Sequence, residues 1–248
     1  MSAYESLASS YDRLTNDISY SQIADFIESI LQRAGCCPKT VLELACGTGS
    51  LSLELAKRGY LVTGSDISED MLVQASEKAA SIEENRPYFI CQPMQELNLP
   101  EPVDLIVCSL DSLNYVTDPG DVRETFRRAM QFLNPGGMMI FDINTPEKLH
   151  GLDGQVFLDE DDDVYCVWRA EFSNEENILY YGMDLFQREG ENWNRSYEEH
   201  LEYCYDPAEL EAWLIEAGFS KVEQFADKQI KKPAKGEQRI FIAARKDK

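Results

Sequence analysis

The chain has 248 residues, 44% apolar and 27% charged, enough to build a full core in one decorated domain. Its 45 acidic and 23 basic residues leave a formal charge of −22, which repels phosphate backbones and argues against a nucleic-acid partner. No apolar run approaches the roughly 20 residues of a membrane helix. The N-terminus lacks a basic-then-apolar secretory pattern. Seven scattered cysteines and two histidines give neither a disulfide framework nor a metal site, so the expectation is a reduced, cytoplasmic chain without metal.

Ile23, Phe26, Ile27, Ile30 and Leu31 recur at helical spacing, and Gly35 and Pro38 end that helix. Residues 41–46 read as a buried strand running into the turn Gly47-Thr48-Gly49, with a helix over Ser50 to Lys57. Glycines in such a turn let a ligand press on bare backbone, and the helix behind points free N–H groups at it. A second strand spans 61–66. Ser68 caps a helix to about Glu83. Strands follow at 88–91 and 103–108, then a helix from Asp118 to Leu133, closed by Asn134-Pro135-Gly136-Gly137. A fifth strand covers 138–142.

Strand–helix alternation with near-continuous apolar strands indicates a parallel sheet covered on both faces. Ligands of such sheets bind at the carboxyl ends of the strands. That edge gathers Ala45–Gly49, Asp66, Gln92–Met94 and Ser109–Tyr115.

After Thr145 the pattern changes. Three aromatic and β-branched runs, 164–172, 178–186 and 196–205, alternate with turn-forming stretches and read as antiparallel hairpins. The acid run Asp159–Asp163 reads as a hydrated loop, since five adjacent carboxylates cannot converge on a cation as spaced ligands do. Lys228 to Lys235 reads as a solvated basic loop. Asp206-Pro207-Ala208-Glu209 starts a helix to Gly218, and two strands, 219–225 and 239–244, close the chain.

Two nucleotide readings of the glycine turn compete. The dinucleotide fingerprint G-x-G-x-x-G/A is incomplete, because Ser52 stands at its third small position. Four motifs in order resemble instead the class I S-adenosylmethionine (SAM) dependent methyltransferases. They are E-L-A-C-G-T-G from Glu43, G-S-D-I-S-E-D-M-L from Gly64, V-D-L-I-V-C-S-L-D-S-L-N-Y from Val103 and L-N-P-G-G-M-M-I-F-D-I-N from Leu133. The nearest likeness is to a bacterial small-molecule group with an antiparallel insertion after strand five.

This resemblance implies an α/β, Rossmann-like, seven-stranded, mostly parallel sheet with helices on both faces, its last strand antiparallel. Residues 1–150 and 206–248 would form the SAM-binding core, with an N-terminal helical lid over about 1–35. The small antiparallel insertion at 151–205 would cap the substrate site. It also implies cofactor roles for Ala45, Gly47, Thr48 and Gly49 at the turn, and for Asp66 as acceptor of both ribose hydroxyls. Glu43 would lie near the methionine ammonium, Ile67, Met71, Met94 and Leu110 along the adenosine, and Tyr11 and Tyr20 at the SAM carboxylate. Where relatives carry Asp-Met for the adenine amino group, this chain has Pro93-Met94; Gln92 or Gln95 stands nearby.

SAM brings its own electrophilic methyl, so the protein must align and desolvate an acceptor. Asp111, Asn114 and Tyr115 are the candidates to face the methyl from the core, and His200 from the insertion, where it could orient or deprotonate a substrate. Each also has a plain structural reading. The expectation is a SAM-dependent methyltransferase of a small molecule. A non-catalytic SAM-binding scaffold and an RNA or protein methyltransferase stay open, as does the oligomeric state.

Overall fold

The computed structural model describes residues 18–247. The core alternates α1 (Tyr20–Ala34), β1 (Thr40–Leu44), α2 (Ser50–Lys57), β2 (Leu61–Asp66), α3 (Glu69–Ala79), β3 (Tyr88–Cys91), β4 (Val103–Cys108), α4 (Pro119–Phe132) and β5 (Leu133–Asn144). A short α5 (Pro146–Gly151) leads to β6 (Val156–Asp161), β7 (Val164–Ser173), β8 (Ile178–Glu189) and β9 (Asn192–Tyr203). The chain then returns through α6 (Pro207–Ala217), β10 (Lys221–Ala226) and β11 (Arg239–Arg245). No helix among the described residues is long and apolar enough to cross a membrane.

The larger sheet has seven strands in the order β10-β11-β5-β4-β1-β2-β3. β11 pairs antiparallel with both β5 and β10, while β1 to β5 run parallel. Strand side chains alternate faces, so each core strand supplies two layers. Leu42, Leu44, Ile106, Cys108, Met139 and Phe141 pack with Phe126 of α4 and Leu214 of α6. Val41, Leu105, Val107 and Ile140 pack on the other face with Phe26 and Ile27 of α1 and Leu55 of α2. Burial on both faces is why these strands read as nearly unbroken apolar runs.

β6 to β9 form a separate four-stranded antiparallel sheet in sequential order. Leu149 of α5 packs on it with Ala170, Phe172 and Leu179. One backbone clasp joins it to the core, the Tyr203 N–H donating to the Asn114 carbonyl at 2.7 Å, and the Cys204 N–H closes the end of the second sheet on the Asn177 carbonyl at 2.9 Å.

Several boundaries differ from the sequence reading. α3 stops at Ala79, not near Glu83. β5 begins at Leu133, and the expected turn at 134–137 is an irregularity within it: Val103 pairs Leu133, yet Leu105 already pairs Met138. Gly136 takes φ +80° to let the chain loop out and resume pairing. The second sheet has a fourth strand, because Asp159 to Asp161 belong to β6. The acids are tolerated there since β6 is an edge strand with every residue exposed. Within the segment expected as a lid, α1 is a sheet-face helix, buried along Ile23, Phe26, Ile27 and Ile30; Tyr11 lies outside the described residues.

Candidate active site

β1 ends because Ala45 turns into the left-handed region at φ +51°, and Gly47 and Gly49 follow at +51° and +74°. The Gly49 N–H closes the turn on the Cys46 carbonyl at 2.8 Å. Gly49 also caps α2 and makes no side-chain capping bond. The two glycines serve different ends. A Cβ on Gly49 would stand 2.9 Å from both Ala75 Cβ and Phe89 Cζ, so Gly49 is bare to let the turn pack on α3 and β3. A Cβ on Gly47 would meet nothing within 4 Å, and Gly47 lines a cavity.

That cavity measures about 490 Å³, within the usual range for small-molecule sites, roughly 300–1,000 Å³. One wall is the sheet edge: Ala45, Gly47, Asp66, Ile67, Ser68 and Met71, then Gln92 to Gln95. Leu110, Ser112 and Tyr115 to Asp118, with Asp121, form another. Glu199, His200 and Leu201 of β9 bring in the second sheet.

Asp66 ends β2 with its carboxylate tied down. One oxygen accepts the Gly47 N–H at 2.8 Å and the other the Ser68 N–H at 2.9 Å. Ser68, not Asp66, caps α3, accepting the Met71 N–H at 3.3 Å. Each Asp66 oxygen keeps a further lone pair for a hydroxyl donor. Burial raises its carboxyl from the ordinary aspartate value, opposed by backbone N–H bonds from Ser68, Gly47 and Ile67. Glu43 lies behind the turn, 4% exposed, and accepts from the Ser52 hydroxyl. Burial pushes its carboxyl up to about 8; the Ser52 bond works against the shift and the Asp66 charge adds to it.

On the adenine side expected at residues 92–95, Gln92 accepts the Asn98 N–H at 3.2 Å through its carbonyl oxygen. Its amide nitrogen is buried with no hydrogen-bond partner among the described residues. A buried donor of this kind fits a heterocyclic acceptor in the cavity.

Leu110 and Asp111 are consecutive left-handed residues, at φ +61° and +50°. Asp142, 1% exposed at the end of β5, holds them: its carboxylate accepts the Leu110 N–H at 2.8 Å and the Asp111 N–H at 3.0 Å. Arg239 of β11 bridges the carboxylates of Asp142 and Asp111. Burial raises the Asp142 carboxyl, against the pull of Arg239.

Of the residues expected to face the methyl group, Tyr115 and His200 line the cavity, with rings T-shaped at 6.1 Å. His200 is 1% exposed, and its Nε2 lies 3.3 Å from a Glu198 carboxylate oxygen. Asp111 turns to Arg239 instead. Asn114 is fully buried, donating to the carbonyls of Tyr203 at 3.0 Å and Asn144 at 3.2 Å and accepting the Asn144 N–H at 3.1 Å. Of the positions expected to bind the cofactor, Ala45, Gly47, Asp66, Ile67, Met71, Gln92, Met94 and Leu110 line the cavity. Glu43, Thr48 and Gly49 stand behind its surface. Lys78 ties Thr48 to Ser50 by donating to both hydroxyls, at 2.9 and 2.8 Å. Tyr20 packs against the α1 side of the core.

Asp142, Arg239 and Glu202 join the site although none of them is among the residues expected there. Glu202 is 2% exposed, accepts from Asn144 Nδ2 at 2.8 Å, and is pushed up to about 8 by burial and then by the Asp111 charge. The available signal was a charged residue flanking each of two apolar runs, Asp142 after Met138-Met139-Ile140-Phe141 and Arg239 before Ile240-Phe241-Ile242.

Sheet order, antiparallel β11 and the turn–acid cradle together define a Rossmann-like methyltransferase. A methyltransferase-domain family matches residues 41–137. The chain is 34% identical over 248 residues to the methyltransferase-like protein YqeM of Bacillus subtilis (strain 168), covering 99% of this chain and 98% of that one. It is 35% identical over 192 residues to a ubiquinone biosynthesis O-methyltransferase of Pseudomonas savastanoi pv. phaseolicola (strain 1448A / Race 6), covering 75% and 67%. The crystal structure of a SAM-dependent methyltransferase from Clostridium acetobutylicum ATCC 824 superposes over 100% of both chains, with a TM-score of 0.87 and 31% identity. The chain belongs to the class I SAM-dependent methyltransferase superfamily; it is a methyltransferase, and SAM is its cofactor.

Proposed function

We propose that the protein methylates a small molecule, bound between the SAM cradle and the second sheet. One observation carries this reading: a single cavity joins Gly47 and Asp66 to Tyr115 and His200. When bound, SAM supplies a methyl group on a sulfonium, open to in-line attack by an acceptor lone pair.

In this reading residues 1–150 and 206–248 are the SAM-binding core and 151–205 the cap. Asp66 takes the ribose hydroxyls through its remaining lone pairs. Bare backbone at Gly47 admits the ligand, and Glu43, behind the turn with Thr48 and Gly49, lies toward the methionine ammonium. Ile67 and Met71 on one side and Met94 and Leu110 on the other flank the adenine, with the Gln92 amide donating to a ring nitrogen. Tyr115 and His200 position the acceptor and keep water out, leaving Asp111 and Asn114 as framework. The likeness to enzymes named for ubiquinone biosynthesis supports a small organic acceptor.

Calorimetry with S-adenosylhomocysteine (SAH) tests the cradle: Asp66→Ala should weaken binding about 100-fold or more, and Gln92→Leu about tenfold. Labelled-methyl transfer to a size-filtered metabolite extract tests the acceptor. Label found only in the retained macromolecules would refute the small-molecule reading.

A further inference from the structure

We propose that the acceptor enters this cavity as an organic cation, an amine in its ammonium form, steadied by the carboxylates of Glu199 and Asp121. The inference rests on the methyltransferase reading above and extends it to the charge of the acceptor.

Among the described residues that line the cavity, four are carboxylates, Asp66, Asp118, Asp121 and Glu199, and none is Lys or Arg. Two of the four are committed elsewhere. Asp66 holds the turn, and Asp118 caps α4 by accepting the Gly120 N–H at 2.7 Å. Among the described residues, Asp121 and Glu199 have only long contacts, from the Gln95 amide at 3.4 Å and the Tyr197 hydroxyl at 3.5 Å. They come from different elements, Asp121 from the first turn of α4 and Glu199 from β9, so the core and the second sheet each bring one.

A carboxylate, phosphate or phenolate acceptor would meet these two charges with no lysine or arginine from the described lining to offset them. An ammonium meets the reverse: a half-buried carboxylate at Asp121, an exposed one at Glu199 on the cavity rim, and the Tyr115 ring, a surface that favours cations. The field of a chain at −22 draws cations toward it. The ammonium is the bound form. The reacting form is the neutral amine left when one proton passes to water. Its lone pair forms the N–CH₃ bond as the S–CH₃ bond breaks, with that electron pair staying on sulfur.

The test uses the full chain loaded with SAH and titrated calorimetrically with probes of one shape: benzylammonium, benzyltrimethylammonium, benzyl alcohol, phenol and benzoate. Failure of SAH to bind would strike the function proposed above; the charge proposal is judged by the probes. Both ammonium probes should bind at least about tenfold tighter than the neutral ones, with benzoate weakest. The permanently charged probe shows that charge is read, since it has no N–H to donate. Glu199→Gln and Asp121→Asn should each weaken ammonium binding about three- to tenfold, with Glu199→Gln leaving SAH affinity unchanged and Asp121→Asn changing it less than it changes ammonium affinity. Benzoate or a neutral probe binding as tightly as the ammonium probes would overturn the proposal, as would binding by none of them. Loss of SAH affinity in place of ammonium affinity in the variants would overturn it too.

Discussion

Asp142 holds Leu110 in the left-handed region by accepting its N–H at 2.8 Å, and so fixes one wall of the cavity from the end of the neighbouring strand. A left-handed residue other than glycine costs about 1–2 kcal/mol, and here two stand in a row. The Asp142 carboxylate satisfies both N–H groups, and Arg239 offsets its charge. Asp142→Ala removes both acceptors and leaves Arg239 facing Asp111 alone. It should lower stability by about 3–5 kcal/mol in chemical denaturation. Asp142→Asn keeps the shape and one acceptor and should lose less. In both variants SAH affinity should fall with the Leu110 wall.

Gly47 and Gly49 should respond differently to alanine. Gly49→Ala drives a methyl into Ala75 and Phe89 at 2.9 Å, at φ +74°. Overpacking and backbone strain together should cost about 2–4 kcal/mol in chemical denaturation. Gly47→Ala meets open space, so it should cost only the backbone strain, about 1–2 kcal/mol. Gly47 lines the cavity, so calorimetry should show a larger loss of SAH affinity than that modest destabilisation suggests.

The contrast between local and distant partners also explains what the sequence reveals. β1, β4 and β5 are legible because burial on both faces leaves a nearly continuous apolar signature, and the turn at 47–49 because its glycines stand two residues apart. Ser68 is legible as a cap because its partner, Met71, is three residues away. Arg239 and Asp142 are 97 residues apart and meet only because β11 inserts beside β5. Without that pairing, Asp111 and Asn114 look like free polar groups at the ligand edge. Distant strands claim both: Arg239 takes Asp111, and Tyr203 takes Asn114. The strand at 156–161 was hidden for a related reason, since its acids resemble a loop until β7 pairs with it.

Glu43 and Glu202 each sit at about 8 in the folded protein, against an ordinary 4.5. Between pH 4.5 and 8 the folded chain keeps protons that the unfolded chain has released. The stability these groups contribute is therefore full below about 4.5 and is lost as pH rises through 8. Denaturation at pH 5, 6, 7 and 8 should show falling stability, with a shallower slope for Glu43→Gln and for Glu202→Gln. If the SAH ammonium binds beside Glu43, that carboxyl ionises and releases a proton. The binding enthalpy at pH 7 should then track the ionisation enthalpy of the buffer, and Glu43→Gln should abolish the dependence.

Asn114 separates a framework role from a chemical one. Its amide donates to the Tyr203 and Asn144 carbonyls, and its side-chain oxygen accepts the Asn144 N–H, all in the interior. Asn144 in turn donates to Glu202, and Lys148 donates to Asn144 at 2.8 Å, so one side chain anchors the polar seam between the two sheets. Asn114→Ala leaves these buried groups without partners, at about 1–3 kcal/mol for each group not rescued by water. Hydrogen exchange should rise in β9 and at Asn144 well before it rises in β1 or β4. SAH affinity should change less than in Asp66→Ala, because Asn114 does not line the cavity. A residue that faced the transferring methyl would give the opposite pattern: intact exchange protection, intact SAH binding and lost turnover.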